Sequence, residues 1–164
     1  MQQSRWNFDN IPDQLKQIPQ WTCWKYQKRG NKDTKPPVNA KCQAISTQKP
    51  ENWMTFEDAV QAYERNPRIE GIGFILTADL GLVGIDLDDC IDAEGNIEPW
   101  AADIVRRVNS YTEISPSGAG IRIFVFGTLP EGTEGRKKGK VEMYRAGRYL
   151  TLTGNRLELE GGTE

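Results

Sequence analysis

The chain reads as an α+β protein with a mostly antiparallel sheet. Short strand-like segments at 71–77, 82–88, 111–115, 121–126, 140–145 and 148–153 follow one another closely, joined by glycine-bearing turns. Two stretches of helical period, opening at Thr55 and near Pro99, stand among them. At 164 residues, 37% hydrophobic and 27% charged, the chain has enough apolar surface for one core.

Taken in order, residues 1–19 form a polar N-terminal extension, in which Ile11, Leu15 and Ile18 line one face of a short helix between Pro12 and Pro19. Trp21 to Tyr26 is rich in strand formers and ends at the turn-forming Arg29 to Asp33. Lys35-Pro36-Pro37-Val38 is extended, because proline fits neither a helix interior nor a central strand; residues 39–54 are loop. Thr55 caps a helix with Asp58 three residues on, and Phe56, Ala59, Val60 and Tyr63 make its apolar face before Asn66-Pro67 stops it. Gly71 to Thr77 is a strand, and Leu82 to Asp88 is its expected hairpin partner. Pro99 opens a second helix with the stripe Trp100, Ile104 and Val108, and Ala101 and Val105 beside it. Residues 127–139 read as a loop rich in glycine, lysine and arginine.

Composition narrows the chemistry. Histidine is absent, which excludes His-based zinc sites and Ser-His-Asp triads. Cys23, Cys42 and Cys90 are widely spaced, so neither a zinc ribbon nor a disulfide framework is expected. No apolar run reaches the roughly 18 residues that span a bilayer, and residues 1–6 lack a signal-peptide core, so a cytoplasmic protein without a membrane partner is expected. The net charge of −2 is unevenly placed. Residues 25–41 hold six basic residues against Asp33, 136–148 hold six against Glu142, and 79–98 hold seven acidic residues and no basic one. Two basic segments around an acidic centre suit a polyanion laid across a metal site, though lysine-rich surface loops share that composition.

The acidic centre is Val83-Gly84-Ile85-Asp86-Leu87-Asp88-Asp89. Residues two apart on a strand share a face, so Asp86 and Asp88 look one way and Leu87 looks into the core. Two carboxylates on one face repel unless a cation sits between them, and Mg²⁺ takes oxygen ligands together with substrate phosphates. A solvated acidic strand end is the bland alternative. Ser115-Pro116-Ser117-Gly118-Ala119-Gly120 joins two strands, and its hydroxyls and amides suit an anion, although the Walker Gly-Lys-Ser/Thr ending is missing. Arg122 stands alone in the apolar strand Ile121 to Phe126 and must face a polar site, either phosphate oxygens or a carboxylate across the sheet. Glu142 completes a three-carboxylate site if its strand lies beside Leu82–Asp88. Arg148 opens a strand next to Tyr149.

These segments come in a telling order: Gly71-Ile72-Gly73-Phe74; Gly84 to Asp89; Tyr111-Thr112-Glu113-Ile114-Ser115-Pro116-Ser117-Gly118; then Glu142-Met143-Tyr144, Gly147-Arg148-Tyr149 and Thr153-Gly154-Asn155. The series resembles the primase-polymerase branch of the archaeo-eukaryotic primase superfamily, as found in phage and plasmid replication proteins. The resemblance covers about residues 20–156 and makes 157–164 the start of a linker to a further C-terminal region. It implies a small αβ module packed on an RRM-like sheet, with the active site between them. It also implies that Asp86, Asp88 and Glu142 hold Mg²⁺ or Mn²⁺ and are catalytic. Ser115, Ser117, Gly118, Gly120 and Arg122 would meet the triphosphate, with Lys35 and Arg148 behind them. Lys28, Arg29, Lys32, Arg136, Lys137 and Lys138 would track a single-stranded DNA template. The implied activity is template-directed nucleotidyl transfer from dNTPs or NTPs in phage or plasmid DNA replication, in a bacterial or phage-infected cell, with a helicase or helical domain as a possible C-terminal partner. The chain departs from the family at one point: Arg122 stands where a histidine is typical. Arginine holds phosphate but does not exchange protons near neutrality. A catalytically degenerate domain that binds nucleotide or single-stranded nucleic acid is therefore the alternative. A metal-dependent glycosyltransferase, which also uses Asp-x-Asp, fits the antiparallel pattern less well.

Overall fold

The computed structural model describes residues 5–127 and 136–159, with the backbone alone for 136–138. The remainder of the basic 127–139 segment, the expected linker beyond 159 and the side chains of Arg136, Lys137 and Lys138 lie outside the described part. In chain order the elements are α1 (Asp13–Lys16), β1 (Trp21–Trp24), β2 (Gln27–Arg29), β3 (Lys32–Thr34), β4 (Pro37–Val38), α2 (Phe56–Arg65), β5 (Gly71–Leu76), β6 (Leu82–Leu87), α3 (Pro99–Val108), β7 (Tyr111–Ile114), β8 (Ile121–Phe126), β9 (Arg136–Lys138), β10 (Val141–Tyr144) and β11 (Arg148–Leu152). The fold is α+β with antiparallel sheets, as the sequence predicts.

The strands sort into two sheets and one small hairpin. The first sheet has the order β11-β5-β1-β4, the second β7-β8-β6-β10-β9, and β2 pairs only with β3. Each large sheet contains a split βαβ unit. In the second, β8 runs antiparallel to both β6 and β7, so β6 and β7 are parallel and α3 makes the crossover. In the first, β1 runs antiparallel to both β4 and β5, and α2 crosses between them.

Two expectations fail. Gly71–Thr77 and Leu82–Asp88 are not a hairpin: β5 pairs with β1 and β11, while β6 pairs with β8 and β10. Gly81, at φ +64°, and the short 3₁₀ turn Ala78–Leu80 swing the chain from one sheet to the other instead. The segment 127–139 is not all loop either, since β9 pairs with β10.

Alternation along β6 explains how the sheets stack. Val83, Ile85 and Leu87 pack with Ile121, Ile123, Ala101 and Val105 beneath α3. Leu82 faces the opposite way, into a larger core with Trp21, Trp24, Ile72, Phe74, Tyr63 and Leu150. Trp6, Phe8, Ile11 and Leu15 join that core, and Phe8 packs edge-on to Tyr63 at 5.4 Å. The Thr55 hydroxyl accepts from the Asp58 amide at 3.0 Å, which is the expected cap of α2. On α3 the deepest residues are Ala101 and Val105, with Trp100, Ile104 and Val108 half-buried around them. Cys23, Cys42 and Cys90 are free and buried.

Gly84 packs directly against the other sheet: a Cβ there would lie 2.1 Å from Leu150 Cδ1 on β11. Leu150 is itself 4% exposed and has no room to retreat. Gly84→Ala is expected to destabilise the fold by about 1–3 kcal/mol, as overpacking of a filled core does. Urea unfolding of the two proteins measures this, and an unchanged midpoint would contradict the close contact.

Candidate metal centre and its outer shell

The face of the second sheet that looks toward the first carries a row of charges in register. Glu113 on β7 pairs with Arg122 on β8, Arg122 with Asp86 on β6, and Asp86 with Glu142 on β10. The strand period of two puts these residues, and Asp88 beyond Asp86, on the face away from α3. Asp86 and Glu142 sit directly opposite each other, an arrangement that destabilises a sheet unless the charges are compensated.

Asp86, Asp88 and Glu142 each offer a carboxylate oxygen, and these atoms lie within 4.8 Å of one another. All three residues are intermediate in exposure, so a ligand can reach them. Three hard oxygen donors converging at the end of a strand fit Mg²⁺ or Mn²⁺ in kind and number, with room left for phosphate oxygens and water. The sequence pair Asp86/Asp88 and its conditional third member, Glu142, are thus brought together by the β6–β10 pairing.

Arg122 takes the carboxylate option. Its Nε and Nη2 donate to Asp86 Oδ1 at 3.3 and 3.1 Å, and Nη1 donates to the Thr151 carbonyl at 3.0 Å and to the Thr151 hydroxyl. The residue is 9% exposed. Four of its five N–H groups are spent on Asp86 and Thr151, so the guanidinium spans from one sheet to the other.

Glu113, part of the Tyr111–Gly118 segment, is the most buried charge-bearing group of the row, at 0% exposure. Its carboxylate accepts from the Thr153 amide at 2.8 Å, the Gly154 amide at 2.9 Å and the Tyr111 hydroxyl at 2.7 Å. Burial pushes its carboxyl above the ordinary 4.5, against the pull of those donors and of Arg122. An acidic residue in the strand before the serine loop was the available signal, but sequence alone does not reveal its burial.

The serine-glycine loop lies against the far end of β6: the Cys90 and Ile91 amides donate to the Ala119 carbonyl at 2.8 and 3.0 Å. Its own amides are turned inward. Gly118 N–H bonds the Ser115 carbonyl, Gly120 N–H the Ser115 hydroxyl, and Ala119 N–H the Ser117 hydroxyl. The expected amide cradle at Gly118 and Gly120 is therefore closed on itself, and the Ser115 and Ser117 hydroxyls, 3.2 Å apart, are the groups it presents.

Lys35 is half-buried, and its backbone carbonyl accepts from the Tyr149 hydroxyl. Burial, then the charge of Arg122, lowers its ammonium below 10.5, while Asp86 and Asp33 oppose the shift. Lys35 thus belongs to the electrostatic surroundings of the Arg122–Asp86 pair. Arg148 lies with its guanidinium 3.7 Å from the ring centre of Tyr144, whose hydroxyl donates to Glu142. Lys28, Arg29 and Lys32 are exposed on the β2–β3 hairpin. Trp24 is buried and donates to the Ile72 carbonyl at 3.1 Å, and the half-buried Trp53 donates to the Thr47 carbonyl at 2.9 Å, so both indoles serve packing.

No family model matches the chain. It is 35% identical over 146 residues, 85% of its length, to the protein named DNA Primase-polymerase of Nitratiruptor phage NrS-1. The chain holds a primase-polymerase-like domain. It spans 20% of the length of that relative. Within this primase-polymerase-like domain no helix among the described residues is long and apolar enough to cross a membrane.

Glu113 generates a pH prediction. A carboxyl raised on folding is bound to its proton more tightly in the native state, so its contribution to stability is full below the unfolded value near 4.5 and is lost as pH rises through the folded value. Urea unfolding of the wild type between pH 4 and 8 should contain this declining component, and Glu113→Gln should lack it. Parallel stability curves for the two proteins would contradict the assignment.

Proposed function

We propose that the domain performs template-directed nucleotidyl transfer, using Mg²⁺ or Mn²⁺ held by Asp86, Asp88 and Glu142. The observation that carries the reading is the convergence of these carboxylate oxygens within 4.8 Å, in a chain related to a primase-polymerase. The bound cations would lower the pKa of an attacking 3′-hydroxyl and neutralise charge on the triphosphate.

The chain's own residues do the rest. Asp86, Asp88 and Glu142 fix where the reaction happens. Lys35, half-buried beside the Arg122–Asp86 pair, offers its ammonium to a phosphate oxygen, and Ser115 and Ser117 offer hydroxyls from the loop at the end of β6. Gly118 and Gly120 contribute by keeping that loop tight, with their amides available to phosphate once the loop opens. Arg148 stands behind them through its contact with Tyr144. The exposed Lys28, Arg29 and Lys32 of the β2–β3 hairpin, joined by Arg136, Lys137 and Lys138, would follow the backbone of a single-stranded DNA template. The substrates are dNTPs or NTPs and the setting is phage or plasmid replication. A helicase or helical domain in a longer protein is the proposed partner.

A second reading keeps the same site without catalysis, as a degenerate domain that binds nucleotide or single-stranded nucleic acid. The observation behind it is Arg122, which replaces a histidine and is already committed to Asp86 and Thr151.

The deciding experiment is primer extension and de novo synthesis on single-stranded DNA with Mg²⁺ or Mn²⁺, comparing wild type with Asp86→Ala/Asp88→Ala. The expected outcome is labelled product from wild type and a loss of at least about 10²-fold in the double variant, the scale on which removal of transition-state charge stabilisation is felt. Metal-dependent nucleotide binding without product would favour the second reading. For the template surface, Lys28→Ala/Arg29→Ala/Lys32→Ala should flatten the slope of log K against log salt by about 2, since each single-strand phosphate contact contributes about 0.7. Fluorescence anisotropy with a labelled oligonucleotide measures it, and an unchanged slope would remove the hairpin from the interface.

A further inference from the structure

We propose that Arg122 and Tyr144 are positioning residues for the acidic site, each holding one carboxylate in place for a divalent cation, and that both are anchored by β11. This rests on the metal-site reading above and reassigns Arg122 from triphosphate ligand to support of Asp86.

The geometry is the argument. Arg122 grips only one oxygen of Asp86: Nε and Nη2 both converge on Oδ1, at 3.3 and 3.1 Å. A carboxylate gripped at one oxygen has its rotamer fixed while the other oxygen remains a ligand. Arg122 is fixed in turn by Thr151, whose carbonyl and hydroxyl both accept from Nη1. Its side chain is 11% exposed and that of Asp86 16%, so water competes weakly for the pair.

Glu142 is held in a parallel way from the other side. The Tyr144 hydroxyl donates to Glu142 Oε2, two residues back along β10, so both side chains rise from the same face. Tyr144 is 3% exposed and carries the Arg148 guanidinium on its ring, with the cation 3.7 Å from the ring centre. Thr151 and Arg148 both lie on β11, a strand of the first sheet paired with β5. One strand of the opposite sheet therefore backs two of the three carboxylates. Hydrogen-bonded partners behind metal ligands orient them and raise metal affinity, and their loss typically costs 10- to 100-fold in affinity.

Two substitutions test this while leaving every carboxylate and the guanidinium in place. Tyr144→Phe keeps the ring under Arg148 and removes only the hydroxyl. Thr151→Val keeps the branched side chain and the backbone carbonyl, and removes only the hydroxyl that accepts from Arg122. Mn²⁺ binding to the 164-residue chain is read by electron paramagnetic resonance of free Mn²⁺. Binding of dATP at saturating Mn²⁺ and the melting temperature without metal are read beside it. The expected result is Mn²⁺ affinity about ten-fold lower in each variant, with nucleotide affinity at saturating metal and the metal-free melting temperature close to wild type. Unchanged Mn²⁺ affinity in both variants, while Asp86→Ala abolishes binding, overturns the positioning role and leaves the metal site standing. Weaker dATP binding with unchanged Mn²⁺ affinity in Thr151→Val overturns it too, and returns Arg122 to the triphosphate. If wild type binds Mn²⁺ no better than Asp86→Ala, the metal-site reading itself fails.

Discussion

The charge row across the second sheet is the constraint on which the rest of the structure depends. Glu113, Arg122, Asp86 and Glu142 occupy one register on four adjacent strands, facing the interior between two sheets. A buried charge costs several kcal/mol unless it is paired and fully hydrogen-bonded. The fold answers at each position with a named partner: two amides and a phenol for Glu113, Thr151 and Asp86 for Arg122, Tyr144 for Glu142. Every one of these partners except Tyr111 and Tyr144 is reached by crossing to another strand or to the segment after β11. The row therefore dictates how β11 must dock, and docking β11 brings Leu150 onto Gly84. Removing a charged member of a buried ion pair costs about 3–5 kcal/mol, so the Arg122–Asp86 pair stabilises the fold as well as preparing a site, while the neutral hydroxyls of Thr151 and Tyr144 contribute less.

That coupling explains the mixture of strong and weak compensation along the row. Arg122 and Glu113 are closed off from water, and their needs are met within the protein. Asp86, Asp88 and Glu142 are half-buried and crowded at one end of β6, and Arg122 pairs with Asp86. Three carboxylates with their oxygens within 4.8 Å of one another repel unless cations come between them. Arg122 is tied to the interior side of Asp86, and Lys140 is turned to Asp89, with its ammonium 3.7 Å from that carboxylate. A divalent cation has the charge and the oxygen preference that suit such a cluster.

How much of this was legible in the sequence depends on whether the signal was local. Asp86 and Asp88 sharing a face, the turn at Gly30, the Thr55 cap and the apolar face of α2 follow from spacing alone, and each is present. Pairing between distant strands does not follow from spacing. Gly71–Thr77 and Leu82–Asp88 look like a hairpin because a short turn separates them, yet both are apolar on two faces, as Ile75 and Val83 show at 1% and 3% exposure. Strands buried on both sides can serve as the centres of two stacked sheets, and that is where β5 and β6 lie. The same limit hid Glu113, whose burial arises from residues 153–154, some forty positions on. It also left Arg122 with two acceptable partners until β6 was seen beside β8. Spacing likewise does not reveal that the Ala119 and Gly120 amides donate to the Ser117 and Ser115 hydroxyls, as amides beside short hydroxyl side chains in turns do.

The absence of histidine takes on physical sense in this frame. No side chain in the protein has an ordinary pKa near neutrality, and the residue that replaces the family's histidine is an arginine that keeps its proton under all working conditions. An acid–base mechanism built on side chains would be poorly served by such a chain. Chemistry on divalent cations does not need one, because the cation itself shifts the pKa of a bound hydroxyl and carries the charge of the leaving phosphate. What such chemistry needs from the protein is carboxylates held still. A histidine at position 122 would supply one donor to Asp86; the guanidinium supplies two to Asp86 and two to Thr151. An arginine in place of the histidine thus gives up a proton carrier and gains a brace across the two sheets, the more useful property under the metal-dependent reading proposed above.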